Sequence, residues 1–189
     1  MTATHVFATL IWRRLDRPGH DAFRVRHDGE RGRLEGCAIF RDESGLTSRL
    51  SYEVVCDARW HTRSAHIEGW VGDEDVCWSI LHDTQQGWQF NGTLVPSVTH
   101  CIDVDLGFTP ATNLLPLRRL RLAPGQQGEV PAAWFDPSTR RLQPLPQSYR
   151  RLDASRYHYR APTVGFEAEL QVGAEGLVHD YPGLWRAEP

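Results

Sequence analysis

Alternation of apolar and polar residues with a period of two constrains this chain more than any other feature. In residues 163–172 the apolar positions are Val164, Phe166, Ala168, Leu170 and Val172. Between them stand Gly165, Glu167, Glu169 and Gln171. Side chains at every second position of a strand point to the same face, so this pattern predicts a strand with one buried and one solvated face.

The same alternation predicts many further strands. It is clear in residues 50–56 and 76–80, and weaker in 5–14, 22–27, 33–41, 61–71, 87–90, 98–106, 130–135, 149–152 and 157–160. Turn-forming pairs such as Asp28-Gly29, Asn91-Gly92 and Pro182-Gly183 separate these segments. Such short, regular spacing is typical of antiparallel hairpins and meanders.

Residues 113–122 fit either a short helix or a strand. Asn113 is suited to cap a helical turn, and Pro116 is tolerated near the start of a helix. Against this, Arg119 and Arg121 alternate with Leu120 and Leu122 as in a strand. The Pro- and Gly-rich residues 123–131 predict a loop. Since no other window carries apolar residues at helical spacing, we expect few or no helices.

These patterns predict an all-β fold, a single-domain antiparallel sheet that is rolled or barrel-like and spans residues 1–189. So many strands must hide their edges and cover an apolar face, and no helices are available to cover it. The sheet therefore has to cover itself. A rolled sheet of this size can leave an apolar groove or interior cavity that shelters a hydrophobic ligand.

Residue usage excludes several function classes. All 21 basic residues are arginine, which rules out chemistry that needs a P-loop or Schiff-base lysine. A net charge of -3 with dispersed arginines does not favour nucleic-acid binding. The four cysteines are widely spaced and form no C-x-x-C, so we expect no metal site and no cofactor. Without a signal peptide or membrane span, a cytoplasmic protein with reduced thiols is expected.

The densest polar cluster lies in residues 101–113. Asp103 and Asp105 would share one face of a strand, with side chains about 7 Å apart along it. Together they could accept hydrogen bonds from sugar hydroxyls or hold a cation, or they could be the solvated face of the strand. Thr109, Thr112 and Asn113 suggest an ordered loop after Gly107.

Two further groups combine a carboxylate with aromatic rings, a pairing that suits sugars. The first is Asp57 with Trp60, His61 and Arg63, and the second is Asp180 with Tyr181 and Trp185. Carboxylates accept from hydroxyl groups while ring faces cover C–H surface. Core tryptophans beside turn-capping aspartates explain each group equally well. Arginines such as Arg63, Arg118 and Arg119 fit ion pairs or a phosphorylated headgroup.

Catalytic motifs are missing from the sequence. The nine histidines form no H-x-H or H-E-x-x-H, and there is no G-x-S-x-G or G-x-G-x-x-G. Cys56 and Cys101 lie in apolar strands that favour inert thiols. We therefore assign no catalytic residue and expect a protein that is not an enzyme.

Residues 103–120, Asp-Val-Asp-Leu-Gly-Phe-Thr-Pro-Ala-Thr-Asn-Leu-Leu-Pro-Leu-Arg-Arg-Leu, resemble the signature of a bacterial family of putative glycolipid-binding proteins. The likeness extends to residues 15–20, to Cys56-Asp57 with Trp60, Thr62 and Arg63, and to residues 149–152 and 180–185. Arg17 and Leu114 depart from the family pattern. The resemblance implies a spiral β-roll, a long antiparallel sheet that curls around an apolar interior.

The resulting hypothesis is a non-enzymatic binder of a glycolipid or another amphiphile. An acyl chain would enter the apolar interior of the roll, and the headgroup would lie at its rim. The candidate ligand-binding residues are Asp103, Asp105, Asn113, Arg63, Arg118 and Asp180, with Trp60, Tyr181 and Trp185 as stacking surfaces.

The sequence leaves two alternative functions open. One is a hydrolase acting on a glycolipid-like ester, with Asp103 or Asp105 and a histidine as general base. The other is a protein-interaction module that docks a partner on a sheet face or edge.

Overall fold

The structure, a computed structural model, describes residues 5–189 and is built mainly of strands. The strands are β1 (His5–Arg14), β2 (Gly19–His27), β3 (Arg31–Arg41), β4 (Thr47–Asp57), β5 (Thr62–Val71), β6 (Glu74–Asp83), β7 (Gly87–Phe90), β8 (Thr93–Leu94), β9 (Asp103–Leu106), β10 (Gln127–Glu129), β11 (Ala132–Asp136), β12 (Arg141–Leu145), β13 (Ser148–Arg151), β14 (Arg156–Ala161), β15 (Phe166–Val172), β16 (Val178–Tyr181) and β17 (Trp185–Glu188). The other regular elements in residues 5–189 are one α-helix, α1 (Leu114–Leu120), and three 3₁₀ turns (Pro96–Val98, Ala111–Asn113 and Pro162–Val164).

The predicted all-β class is confirmed, and the alternation identifies the long strands because each buries one face. In β4, for example, Leu50, Tyr52, Val54 and Cys56 are buried while the residues between them are partly exposed. The expected strand at 98–106 is shorter, since residues 99–102 are irregular before β9 begins. Likewise, β15 starts only at Phe166, after a 3₁₀ turn.

Fourteen strands form one antiparallel sheet in the order β10-β13-β14-β15-β16-β17-β1-β2-β3-β4-β5-β6-β7-β8. The N-terminal strand β1 lies between β17 and β2, so the two ends of the chain meet in the middle of the sheet. Within the described residues, β8 and β10 have no second neighbour, so the large sheet is open. That the whole chain is one domain stays a prediction, which this continuous sheet supports.

A second, three-stranded sheet has the order β12-β11-β9. Its strands β9 and β11 are parallel, with Asp103 opposite Ala132 and Leu106 opposite Phe135, whereas the sequence predicted antiparallel pairing throughout. Parallel strands need a long crossover between them, and residues 107–131 supply one that contains α1. The prediction of antiparallel pairing is therefore wrong for β9 and β11.

The large sheet curls around β9 and the start of the crossover that follows it. The Thr62 hydroxyl of β5 accepts a hydrogen bond of 2.9 Å from the Val104 backbone. From the other half of the sheet, the Tyr149 hydroxyl of β13 accepts a hydrogen bond of 2.6 Å from Asn113 Nδ2. Because β5 and β13 are far apart in the order of the sheet yet touch the same segment, the sheet must roll around it.

Residues 113–122, which fitted a helix or a strand, form mainly helix. Asn113 belongs to the preceding 3₁₀ turn and its side chain makes no capping hydrogen bond. Leu114, Leu115 and Leu117 are buried, so the first turn of α1 packs into the roll. Tertiary burial, rather than a cap, stabilises this short helix.

Candidate functional site

A groove of about 360 Å³ opens at the end of the roll where the β1–β2, β3–β4 and β16–β17 connections lie. A second depression, of about 230 Å³, continues from it. Their shared lining residues are Arg14, Arg17, Glu43, Gly107 and Trp134. A volume of several hundred Å³ at a concave surface is typical of small-molecule sites.

The middle of the roll is filled by the protein itself. The side chains of Leu106, Phe108, Leu114 and Leu115 are at most 1% exposed, and they occupy the interior where the sequence hypothesis placed an acyl chain. Space for such a chain lies instead in the groove at the end of the roll.

Three aromatic rings from neighbouring strands form one wall of the groove. Phe166 of β15 lies 6.1 Å from Tyr159 of β14 and 5.3 Å from Tyr181 of β16, measured between ring centroids. Tyr159 and Tyr181 meet edge to face at 5.7 Å. Phe166 is partly exposed, so this wall offers apolar surface to a ligand.

Arg14 lies where the groove and the depression meet. Its guanidinium carbon is 5.2 Å from the Trp185 ring and 5.3 Å from the Phe40 ring, and its Nε donates to Asp16 at 2.8 Å. Trp185 and Tyr181, two of the predicted stacking residues, line the groove, but they are only 4% and 8% exposed. Their rings are therefore mostly covered by the protein.

Asp105 lies at the floor of the groove, at the end of a chain of hydrogen bonds. Asn113 Nδ2 donates to the Tyr149 hydroxyl at 2.6 Å, and this hydroxyl donates to Gln147 Oε1 at 3.3 Å. Gln147 Nε2 then donates to Asp105 Oδ2 at 2.9 Å. Asp105 lines the groove, and among the described residues its Oδ1 accepts no hydrogen bond.

The environment of Asp105 raises its pKa to about 6. Burial is the main cause, because it removes water from the charged form, and the negative charge of Asp103 adds to the effect. The hydrogen bond from Gln147 opposes the shift. At neutral pH the carboxyl group is mainly ionised and acts as an acceptor.

Asp103 has a different partner although it shares a face of β9 with Asp105. It is 2% exposed, and its Oδ2 accepts from Arg119 Nη2 at 2.5 Å. Burial raises its pKa, and the hydrogen bond and charge of Arg119 oppose that rise. In the part of the chain that the structure describes, no histidine bonds either carboxylate, so the geometry gives the hydrolase alternative no acid–histidine pair.

The remaining predicted residues do not line the groove. Arg63 pairs with Asp57 at 2.7 Å near the start of β5. Asp180 pairs with Arg186 at 3.2 Å. The last two, Trp60 and Arg118, line a separate cleft at the opposite end of the roll. The structure thus brings Asp105, Asn113, Tyr181 and Trp185 together in the lining of the groove. Asp103 lies close to Asp105 and Asn113 but outside that lining, as do the other candidates.

Sequence reasoning missed a buried group behind the groove. Asp21 of β2 is fully buried, and its Oδ2 accepts from the Tyr52 hydroxyl at 2.8 Å and from the Thr109 hydroxyl at 2.5 Å. Burial raises the pKa of Asp21 to about 7 against the effect of these hydrogen bonds. Asp21 and Phe23 are two residues apart and both lie on the inward face of β2. This spacing is the sequence feature that could have predicted a buried Asp21. Thr109 lines the groove, so the network fixes the loop after β9.

Residues 5–189 contain no group of three or more His, Cys, Asp or Glu side chains placed to hold a metal ion. Cys37, Cys56, Cys77 and Cys101 form no disulfide. Of the helices that the structure describes, none has the length and apolar character needed to cross a membrane.

Comparison with known proteins agrees with this architecture. A crystal structure of a DUF1089 family protein from Pseudomonas aeruginosa is 34% identical, with a TM-score of 0.78, and the match covers 89% of this chain and 91% of that one. No curated protein matches the chain. A family model described as "Putative glycolipid-binding" matches residues 9–187, and so the chain, with its rolled sheet, belongs to that family.

Proposed function

We propose that this protein is a non-enzymatic, cytoplasmic binder of a glycolipid or a similar amphiphile, and that the groove beside Asp105 is its site. The apolar part of the ligand lies against Phe166, the partly exposed ring of the aromatic wall, and a hydroxyl-bearing headgroup reaches the groove floor. The family description supports the ligand class, and the groove supports the place.

The available oxygen of Asp105 is the observation that carries this proposal. An ionised carboxylate in a partly dry groove accepts hydrogen bonds from hydroxyl groups more strongly than a neutral acceptor does. Its position is fixed by Gln147, so little ordering is needed when a sugar binds. Asn113, at the other end of the hydrogen-bond chain, also lines the groove.

The apolar part of the ligand supplies most of the affinity in this arrangement. Each methylene removed from water contributes about 0.8 kcal/mol. Sugar hydroxyls exchange bonds to water for bonds to protein, so each contributes less, about 1 kcal/mol. The headgroup contacts therefore mainly determine selectivity. The contacts with the aromatic wall mainly determine affinity.

The test has two parts, both on the full chain. Native mass spectrometry of freshly purified protein is expected to show a co-purifying amphiphile. Octyl glucoside, titrated below its micelle concentration at pH 7.5 and followed by calorimetry, is expected to bind more tightly than either glucose or octanol. If octanol binds as well as octyl glucoside, the headgroup has no site and the proposal is wrong.

Two aspartate variants locate the site. Asp105→Asn keeps the hydrogen bond from Gln147 and removes the charge, so octyl glucoside should bind about tenfold more weakly, which corresponds to about 1.4 kcal/mol. Asp180→Asn makes the same chemical change at a residue that does not line the groove, and it should bind like the wild type. Equal affinity in the two variants would refute the groove assignment.

A further inference from the structure

A second cleft lies at the end of the roll opposite the groove. Its volume is about 550 Å³, and the β13–β14 and β15–β16 connections and the end of α1 form it. Three arginines line it, Arg118, Arg121 and Arg151, together with the single carboxylate of Glu175. No residue is shared with the lining of the groove.

Arg118 is held in place by aromatic rings and by a backbone carbonyl. Its guanidinium carbon lies 4.6 Å from the Phe7 ring and 5.3 Å from the Trp60 ring. Its Nη2 donates to the Glu175 carbonyl oxygen at 2.5 Å, while its buried Nε has no hydrogen-bond partner among the described residues. The positive charge is therefore fixed in position but not neutralised.

Arg151 is fixed in the same way. It donates to the carbonyl oxygens of Leu122, Asp153 and Ala154 at 2.8 to 3.0 Å, and its guanidinium lies 5.6 Å from the Tyr157 ring. A guanidinium carries five N–H donors, so three bonds leave two for a ligand. Carbonyl oxygens accept hydrogen bonds but do not cancel the charge.

Arg121 completes the cluster. It follows α1 in the left-handed conformation, with a φ of 46°, and is exposed. In the described part of the chain, none of these three arginines forms an ion pair with a carboxylate, in contrast to Arg119, which pairs with Asp103. Burial lowers the pKa of Arg118, Glu175 opposes that shift, and the like charge of Arg121 adds to it.

The nearby acids are already engaged. Glu175 Oε1 bonds His179 Nε2 at 2.5 Å, and Asp153 pairs with Arg156 at 2.7 Å. The cleft therefore presents three positive charges against one partly engaged carboxylate. Such an excess attracts an anion of more than one charge, and guanidinium groups that line one cleft from different segments can share the oxygens of a tetrahedral oxyanion.

We propose that this cleft binds the phosphate group of a phosphomonoester, held by the donors of Arg118, Arg121 and Arg151. A phosphate of this kind carries a charge of about -1.5 to -2 at neutral pH and offers three acceptor oxygens. A carboxylate, with one charge, balances only part of the excess. This site goes beyond the groove and does not depend on the ligand proposed there.

Calorimetry at low ionic strength tests the proposal with glycerol phosphate as the probe and acetate as the monoanionic control. Glycerol phosphate should bind saturably and at least tenfold more tightly than acetate, and added salt should weaken it. Arg121→Gln removes a charge at an exposed position, so the fold is kept and the affinity should fall at least tenfold. The matched control is Arg150→Gln, which removes one charge beside Arg151 on an exposed, unpaired residue, and it should bind like the wild type.

The source of the phosphate is decided by a second arm with vesicles of phosphatidylcholine containing phosphatidic acid. Binding of free glycerol phosphate assigns a soluble phosphomonoester, whereas binding to the vesicles alone assigns a lipid headgroup. In both cases the loss must occur in Arg121→Gln and not in Arg150→Gln. Absence of binding in both arms, or an equal loss in the two variants, overturns the site.

Asp105→Asn should leave phosphate binding in this cleft unchanged. Failure of one site is therefore distinguishable from failure of the other.

Discussion

Gln147 Nε2 donates a hydrogen bond of 2.9 Å to Asp105 Oδ2 and so joins the groove floor to the buried interior. Tyr149 connects this pair to Asn113 through its fully buried hydroxyl. Tyr149→Phe would leave Asn113 Nδ2 and Gln147 Oε1 buried without their partner. We expect it to lower the free energy of unfolding by about 1–3 kcal/mol.

Urea denaturation measures this effect, and Tyr157→Phe is the control. The Tyr157 hydroxyl makes no side-chain hydrogen bond among the described residues, so its removal should change the free energy of unfolding by less than about 0.5 kcal/mol. Equal losses in the two variants would show that the chain of hydrogen bonds does not stabilise the protein.

How far the sequence predicts this fold is clear from individual strands. β1 and β7 have the predicted bounds, and a turn signal follows each of them. β10 was predicted as loop, because Gln127–Glu129 lies in the Pro- and Gly-rich residues 123–131, and the alternation does not reveal β12, which contains Pro144. Their pairing depends on partners that are remote in sequence, and a local pattern carries no such information.

The candidate site shows the same limit. The D-x-D pattern correctly placed Asp103 and Asp105 on one face, since strand parity is local. It could not show that Arg119 neutralises Asp103 and leaves Asp105 to the groove, because that depends on where α1 packs. The curl of the sheet likewise decides that Trp60 and Trp185 lie at different ends.

The second prediction concerns the pH dependence of stability. The pKa of Asp21 is about 7 in the folded protein against an ordinary value of 3.8, so the folded state binds this proton more tightly than the unfolded state. The free energy of unfolding should therefore fall as the pH rises from about 4 to about 7, by at most about 4 kcal/mol from this group. Asp105, with a pKa of about 6, acts in the same direction.

Urea denaturation at pH 5 and pH 8 tests this dependence. Asp21→Asn keeps an acceptor for Tyr52 and Thr109 but cannot ionise, so the difference between the two pH values should shrink by about 2–3 kcal/mol. The partly exposed Asp180→Asn should keep the wild-type difference. An Asp21→Asn variant that loses as much stability as the wild type, or more, between pH 5 and pH 8 would contradict this prediction.

The third prediction separates a buried ion pair from an exposed one. Arg119 and Asp103 have side-chain exposures of 17% and 2%. Arg119→Met should cost about 3–5 kcal/mol, because it leaves the Asp103 charge buried without a partner. Arg63→Met breaks the more exposed pair with Asp57 and should cost less than about 1 kcal/mol.

A double variant completes this third test. Asp103→Leu combined with Arg119→Met removes both charges, and most of the stability lost in Arg119→Met should return, because no unpaired charge stays buried. Thermal and urea unfolding of the single and double variants give the coupling. If the double variant is less stable than Arg119→Met, Asp103 contributes through something other than this ion pair.

The last prediction uses the close approach of Gly107 to Trp134. A Cβ atom at Gly107 would lie 2.4 Å from Trp134 Nε1. Gly107→Ala must therefore displace the indole ring, which lines both the groove and the depression. The backbone suits alanine, since no positive φ is required there. We expect a folded protein whose tryptophan emission is shifted and whose affinity for octyl glucoside falls about tenfold. Gly128→Ala is the control, because its Cβ would lie 3.1 Å from the Leu120 side chain and neither residue lines the groove. Wild-type affinity in Gly107→Ala, despite a displaced indole, would place the ligand elsewhere.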